Sequence, residues 1–359
     1  MGPSTLARGA TPGGDVAVSE DWVAGARNFC NKLWNAVRFA QLNGVIADSA
    51  ADSAGLPPVA SLTAVDRWIL SRLARVTAEV DALFDQFEFA KACDALYHFA
   101  WDEVCDWYLE LAKPVLATDE PDNTASAATG AGATRRVLGE VLDRLLRLIH
   151  PLLPFVTEEL WTALTGGESL VIARWPGQVA GGATKPLAAL PTDTAAETEI
   201  SALMRLVTEV RRFRSDQGLR PGQQVPARLT GIAGTPLAAH EERIRALLRL
   251  AEAGADFSPT ATLEAEDVTI ELDTAAGLDV EAERKRLAKD LTAAHAEIEG
   301  VERKLANASF VERAPAEVVA KNRARLAAAQ QEVARLTERI AALPGAASGA
   351  TEVSDARPA

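Results

Sequence analysis

Two stretches near the end of the chain carry apolar residues at alternating steps of four and three, and few folds satisfy that pattern. In the first, Leu287, Leu291, Ala294, Ile298, Val301 and Leu305 keep it; in the second, Val319, Asn322, Leu326, Ala329, Val333, Leu336 and Ile340 do. A heptad period puts all these positions on one stripe of a helix, and one stripe needs a partner. The two stretches flank NASFVERAP, too short a connection for anything but a reversal. The expectation is an antiparallel coiled-coil hairpin. At 1.5 Å per residue such an arm projects roughly 40 Å.

The chain ahead of the hairpin follows a different helical pattern. Trp22, Ala26, Phe29, Leu33, Val37 and Ala40 recur at three to four, and Asn43-Gly44 ends that run. Leu62 to Phe87 repeats the pattern, and a third, aromatic-rich helix is expected from Glu88 to Lys113, ended by Pro114. A fourth helix is predicted from about Thr134 to His150, and a shorter one after Pro151 and Pro154, through Glu158, Leu160 and Trp161. Residues 117–133 have almost no apolar bulk and predict a flexible loop. Amphipathic helices with mostly short connections make a bundle. Beyond Ser169 the texture changes: LVIARWP reads as a short strand, Glu197 to Gln217 as a helix, VPARLTG as a strand, Glu241 to Ala253 as a helix, and 261–273 alternate as strands do. The fold class is therefore mainly α: a helical bundle, a small α/β subdomain and a C-terminal antiparallel coiled-coil hairpin.

Composition narrows the partners. A net charge of −13 over 359 residues argues against a broadly basic nucleic-acid binder, yet the charge is unevenly spread. Leu278 to Pro344 hold 12 Lys and Arg against 11 Asp and Glu, leaving 25 against 39 elsewhere. A polyanion can be met locally while the rest of the surface repels it. No stretch reaches the ~18 uninterrupted apolar residues of a membrane helix, and no signal peptide is evident at the start. The three cysteines, Cys30, Cys93 and Cys105, form no CxxC pair and are expected to be small buried hydrophobes. A cytoplasmic monomer is the default expectation, with no membrane or DNA partner.

Three segments together resemble the valyl-tRNA synthetase family: ARNFCNKLWNAVRF at 26–39, ALYHFAWDEVCDWYLELAKP at 95–114 and HPLLPFVTEELW at 150–161. The third is shared with leucyl, isoleucyl and methionyl relatives, whereas the first two look specific. LANASFVERAPAEVVAKNRARL at 305–326 is similar to that family's C-terminal tRNA-binding arm. The resemblance implies residues 1–19 as the remnant of a linker behind a catalytic domain. It implies an anticodon-binding bundle at 20–176, a linker at 177–196, the α/β subdomain at 197–275, the arm at 276–344 and a disordered tail at 345–359. It also implies ATP and Mg²⁺ for the parent enzyme and none for this chain, because neither a HIGH-type nor a KMSKS motif is present. The chain alone is expected to show no valine-dependent ATP–pyrophosphate exchange, and to bind tRNA(Val), with an N-terminal catalytic half as a second partner if the enzyme is split. Two other classes stay open: a free-standing regulatory RNA-binding protein, and a coiled-coil scaffold that dimerises without tRNA.

Reading an anticodon loop takes planar side chains to stack on bases and polar groups for their edges. Lys32 and Phe39 lie two helical turns apart on one face, with Asn35 between and Arg38 beside Phe39, and the resemblance assigns anticodon contacts to these four. Phe39 as core and Lys32 as a solvated charge is the plainer alternative. Candidate phosphate contacts are Arg211, Arg212 and Arg214, with Arg205, Arg220 and Phe213 in the same basic run. On the hairpin they are Arg284, Lys285 and Lys289 near the base, and Arg313, Lys321 and Arg323 near the tip. Trp101, Trp107 and Tyr108 are expected in the bundle core. Glu158 and Glu159 are expected to favour the positive end of the helix after Pro154, and His150 is expected at a helix end.

Overall fold

The structure, a computed structural model, describes residues 20–45, 47, 56–117, 130–176, 190–217, 219–274, 280–306 and 316–341. The expectations for residues 1–19, most of the 117–133 loop, 177–189 and the tail at 345–359 lie outside them. The chain divides into two units: 1–221 with 228–250 and 263–270, and 222–227 with 251–262 and 271–359.

The first unit is built on helices α1 (Glu20–Leu42), α2 (Ala64–Asp85), α3 (Phe89–His98), α4 (Leu109–Leu116), α5 (Gly130–Ile149), α6 (Pro154–Thr165) and α7 (Thr194–Asp216). α1 buries Phe29, Leu33, Ala36, Val37 and Ala40, one stripe at the spacing read from sequence. α2 starts at a capping box: Thr63 accepts from the Asp66 N–H at 3.1 Å and Asp66 accepts from the Thr63 N–H at 3.2 Å. α5 is buried over most of its length and forms the centre of the bundle. Its buried charges are matched within the protein. Asp143 accepts from Arg147 Nε at 2.9 Å and from the Trp161 indole at 2.6 Å, while Arg147 Nη1 donates to the Arg174 carbonyl at 3.1 Å. Burial pushes the Asp143 carboxyl upward against the pull of Arg147 and Trp161.

The third predicted helix differs from expectation in two ways. Between α3 and α4, Phe99–Tyr108 forms a π-helical segment, in which the Leu109 N–H reaches back five residues to the Val104 carbonyl. The wider turn changes which residues face inward. Tyr108 is fully buried and donates to Asp66 at 3.0 Å, whereas Trp101 and Trp107 are only half-buried, so two of the three expected core aromatics stand at the rim. Pro114 does not end the helix either. Its missing donor falls in the last turn, where one lost bond is tolerated, and α4 runs on to Leu116.

Side-chain contacts also displaced the predicted strand at LVIARWP. Leu170–Ile172 is a short 3₁₀ turn, because its backbone donors find side chains and not another strand: Glu158 accepts from the Leu170 N–H at 3.1 Å and Ser169 from the Val171 N–H at 3.3 Å. Glu158 therefore ties down this turn and does not serve the start of α6, as expected from sequence. His150 does sit at a helix end, its Nδ1 2.8 Å from the Thr157 hydroxyl.

The mixed region contains β1 (Val225–Thr230), α8 (Glu241–Leu248), β2 (Leu250–Glu252), β3 (Ala261–Ala265) and β4 (Val268–Leu272), with sheet order β2-β1-β4-β3. α8 stops five residues short of its predicted end. Arg249 adopts the left-handed conformation (φ 54°), and Leu250 then joins the sheet, where it is buried. The β3–β4 turn uses Glu266 and Asp267, both at positive φ, as a two-residue hairpin requires. Gly231 sits at φ 89° with the Asp267 carbonyl 3.0 Å from where a Cβ would lie, so both backbone and space demand glycine there.

α7 is fastened to α2 by ion pairs. Arg67 donates to Asp193 at 2.8 Å, and Arg75 and Ser71 both donate to Glu197. The Ala196 N–H bond, with Arg67 beside it, holds the Asp193 carboxyl below its ordinary range. At Glu197 burial pushes upward, but Ser71 and Arg75 outweigh it and the carboxyl is lowered too. Both folded pKa values lie below the unfolded ones, so their contribution is present above the ordinary carboxylate range and is lost as pH falls through it. The urea midpoint should drop on acidification from about pH 5 to about pH 3, and Asp193→Asn should flatten that drop; an unchanged slope in the variant would remove this clamp from the account.

The second unit contains the hairpin helices α9 (Val280–Ala306) and α10 (Ala316–Ala341), which pack against each other. Every heptad position named from sequence is buried or half-buried, with Leu287, Val301, Val319, Ala329 and Leu336 the most enclosed. Leu287 and Leu336 line one hollow, and Arg325 donates to Glu297 at 2.6 Å. Advancing along α9 from Leu287 to Glu297 while retreating along α10 from Leu336 to Arg325 keeps partners opposite, which defines an antiparallel register.

Candidate nucleic-acid interface

α1 presents two faces besides its buried stripe. On the flank toward the π segment, Lys32 Nζ lies 2.5 Å from Asp106 Oδ1 and 4.9 Å from the Trp101 ring centre. Trp101 in turn stacks on Tyr97 (5.6 Å between centroids, 18°) and Phe29 (6.5 Å, 20°). Seven residues further along both helices, Lys113 Nζ lies 5.8 Å from the Phe39 ring centre, and Phe39 is half-buried. Lys32 and Phe39 thus share a face, as their spacing predicts, but that face is already engaged by the protein. Lys32 is an ion-paired, ring-stacked group and Phe39 a partly covered ring.

Asn35 and Arg38 point elsewhere. Both are exposed, and with Arg27, Asn31 and Trp34 they form a strip on the outer side of α1. Between Asp21 and Asp48 the chain has no carboxylate side chain, while Arg27, Lys32 and Arg38 fall in that interval. Among the described residues, neither Arg27 nor Arg38 meets an acid. In a protein of net charge −13 this is a local reversal of sign. Sequence reasoning missed Arg27 and Trp34; the available signal was that both lie off the apolar stripe at helical spacing from Arg38.

The basic run on α7 separates on inspection. Arg211 is exposed, with its guanidinium 5.7 Å from the Trp107 ring centre, and Arg212 is exposed. Arg205 is spent on a two-pronged bond to Glu266, 2.6 and 2.9 Å, which holds the Glu266 carboxyl low. Arg214 is buried, 5% exposed, and donates to the Arg220 carbonyl at 3.4 Å, so it offers no charge at the surface. Burial lowers its pKa. The sequence grouped these arginines by proximity, but a helix turns adjacent residues to different sides.

On the hairpin, Lys285, Lys289, Lys321 and Arg323 are exposed and Arg284 is half-buried. Arg313 lies outside the described residues. Among the described residues no group of His, Cys, Asp or Glu is arranged to hold a metal ion, and no helix is long and apolar enough to cross a membrane. Cys93 and Cys105 are buried as expected and Cys30 is half-buried; burial raises the Cys105 thiol to about 12.

Comparison with known proteins matches both parts. The family described as "Anticodon-binding domain of tRNA ligase" covers residues 66–229, and that described as "Valyl tRNA synthetase tRNA binding arm" covers residues 279–344. The valine–tRNA ligase of Streptomyces avermitilis is 53% identical over 342 residues, 95% of this chain and 36% of its own length. Those of Nocardia farcinica and Mycobacterium tuberculosis H37Rv are 52% and 50% identical over 94% of the chain, again 36% of theirs. The chain belongs to the valine–tRNA ligase family. It corresponds to the C-terminal part of these ligases and spans little more than a third of their length. The α1 strip lies upstream of the matched anticodon-binding domain but within the region aligned to whole ligases, and α9–α10 fill the matched arm.

Proposed function

We propose that this chain is the tRNA-holding part of a valine–tRNA ligase. The outer strip of α1 meets the anticodon loop, and the α9–α10 arm meets the body of tRNA(Val). The observation that carries this is the acid-free strip itself. An exposed run of Arg27, Asn31, Trp34, Asn35 and Arg38 combines cations for phosphate, amides for base edges and a ring for stacking. Arg211 and Arg212 on α7, and Lys285, Lys289, Lys321 and Arg323 on the arm, add phosphate contacts. Activation of valine with ATP and Mg²⁺ and its transfer to tRNA belong, in this reading, to a catalytic part outside this sequence. A cytoplasmic setting, where tRNA is charged, belongs to the same reading.

Titration with tRNA(Val) and a non-cognate tRNA over a salt series tests it. Affinity should fall steeply with salt, favour the cognate tRNA, and show a slope reduced by about one in Arg38→Ala. No tRNA binding, or binding indifferent to salt, would refute the proposal.

A further inference from the structure

Phe39 is the ring that the sequence offers for stacking on a base, yet most of it is covered and Lys113 lies over it. The structure holds a better-placed ring. Trp34 is 46% exposed, although tryptophan is the costliest side chain to leave in water. Single exposed apolar residues are ordinary, so exposure alone decides nothing. What distinguishes Trp34 is its surroundings. Trp161 and Trp175 each donate their indole N–H to a buried or half-buried carboxylate at 2.6 Å. Trp101 and Trp107 each lie beneath a cation of the protein, Lys32 and Arg211. Among the described residues, Trp34 has neither a ring partner nor an acceptor for its N–H. It also sits in the middle of the acid-free interval, with Asn31 one turn before it, Asn35 next to it and Arg38 one turn after. Residues three and four apart on a helix are surface neighbours. Long helical side chains lean toward the N-terminus, which carries Arg38 back over the Trp34 turn.

We propose that Trp34 is the stacking surface for an unpaired base of the tRNA, with Asn31 and Asn35 at the base edge and Arg38 on the adjoining phosphate. This rests on the reading that the chain binds tRNA. The occupant follows from charge: two exposed cations, Arg27 and Arg38, with no carboxylate on the strip favour a polyanion, and a free indole face between amides suits a nucleobase better than an acidic peptide, which has no ring to lay on it.

The full 359-residue chain is titrated with tRNA(Val) and with a hairpin carrying its anticodon loop, as wild type, Trp34→Phe and Trp34→Ala. Trp34→Ala should lose about ten- to a hundredfold in affinity and Trp34→Phe about threefold or less, both with the wild-type salt slope, because stacking releases no counterions. Independently of any variant, 2-aminopurine placed in the loop of the hairpin should be quenched by the wild-type chain, as a base laid on an indole is. Wild-type affinity in a folded Trp34→Ala, or unquenched 2-aminopurine with the hairpin bound, overturns the assignment while leaving tRNA binding in place. Failure of the wild-type chain to bind tRNA at all overturns both. Should Trp34→Ala misfold by circular dichroism, the quenching decides.

Discussion

Asp66→Ala should lower the unfolding free energy by about 3–5 kcal/mol. Asp66 is 1% exposed and accepts four hydrogen bonds: from Tyr108 Oη (3.0 Å), Thr134 Oγ1 (2.9 Å), Thr63 Oγ1 (2.7 Å) and the Thr63 N–H (3.2 Å). One carboxylate thus joins the start of α2, the π segment and α5. Removing it strands two fully buried hydroxyls, and each buried donor left without an acceptor costs about 1–3 kcal/mol. It also opens one side of the capping box, worth about 1 kcal/mol. Asn in its place keeps the shape and one acceptor but points a donor at donors, so an intermediate loss is expected. Urea unfolding of the two variants measures both, and a loss below about 1 kcal/mol for alanine would contradict the assignment of Asp66 as the hub.

Leu336→Asp should unzip the arm. Leu336 is 3% exposed and shares its hollow with Leu287, and a carboxylate placed there joins Asp290, Glu297 and Glu332 in the same lining, where Arg335 is already bonded to Glu332. The direct cost is about 3–5 kcal/mol. Helices of 27 and 26 residues with polar outer faces are marginal in water without their seam, so both should lose helicity together. Circular dichroism should show that loss while the bundle keeps its own unfolding transition, and the proposed role of the arm adds that tRNA affinity should fall with it. An arm that stays helical with Asp at this position would mean that its stability comes from elsewhere than the heptad stripe.

These two sites differ in how far the sequence reveals them. The two helices of the arm and their apolar stripe were legible, because a coiled coil depends on a period and little else, and each residue named from that period is buried or half-buried in the structure. The buried stripe of α1 was legible for the same reason. Asp66 was not, because its partners Tyr108 and Thr134 lie 42 and 68 residues away and no local pattern links them. Lys32 was legible as a cation on a certain face, but its engagement by Asp106, 74 residues on, was not. The change to i→i+5 bonding after His98 moved Trp101 and Trp107 to the rim, and no residue type announces that change. Short elements were weakest: Leu170–Ile172 has strand composition but side chains supply its partners, and Leu250 leaves a helical pattern because a sheet edge is there to receive it.

The acid-free strip on α1 also bears on time. Around a protein of net charge −13, an approaching polyanion is turned away at most orientations. At physiological salt that repulsion reaches about 8 Å, near the distance at which two surfaces begin to dock. On the proposed reading, collisions that meet α1 or the arm would be kept, and the rest would separate before any base is sampled. The strip would thereby filter encounters by orientation, and because salt screens the repulsion elsewhere together with the attraction at the strip, raising salt should blunt this selection of orientations while it weakens the complex.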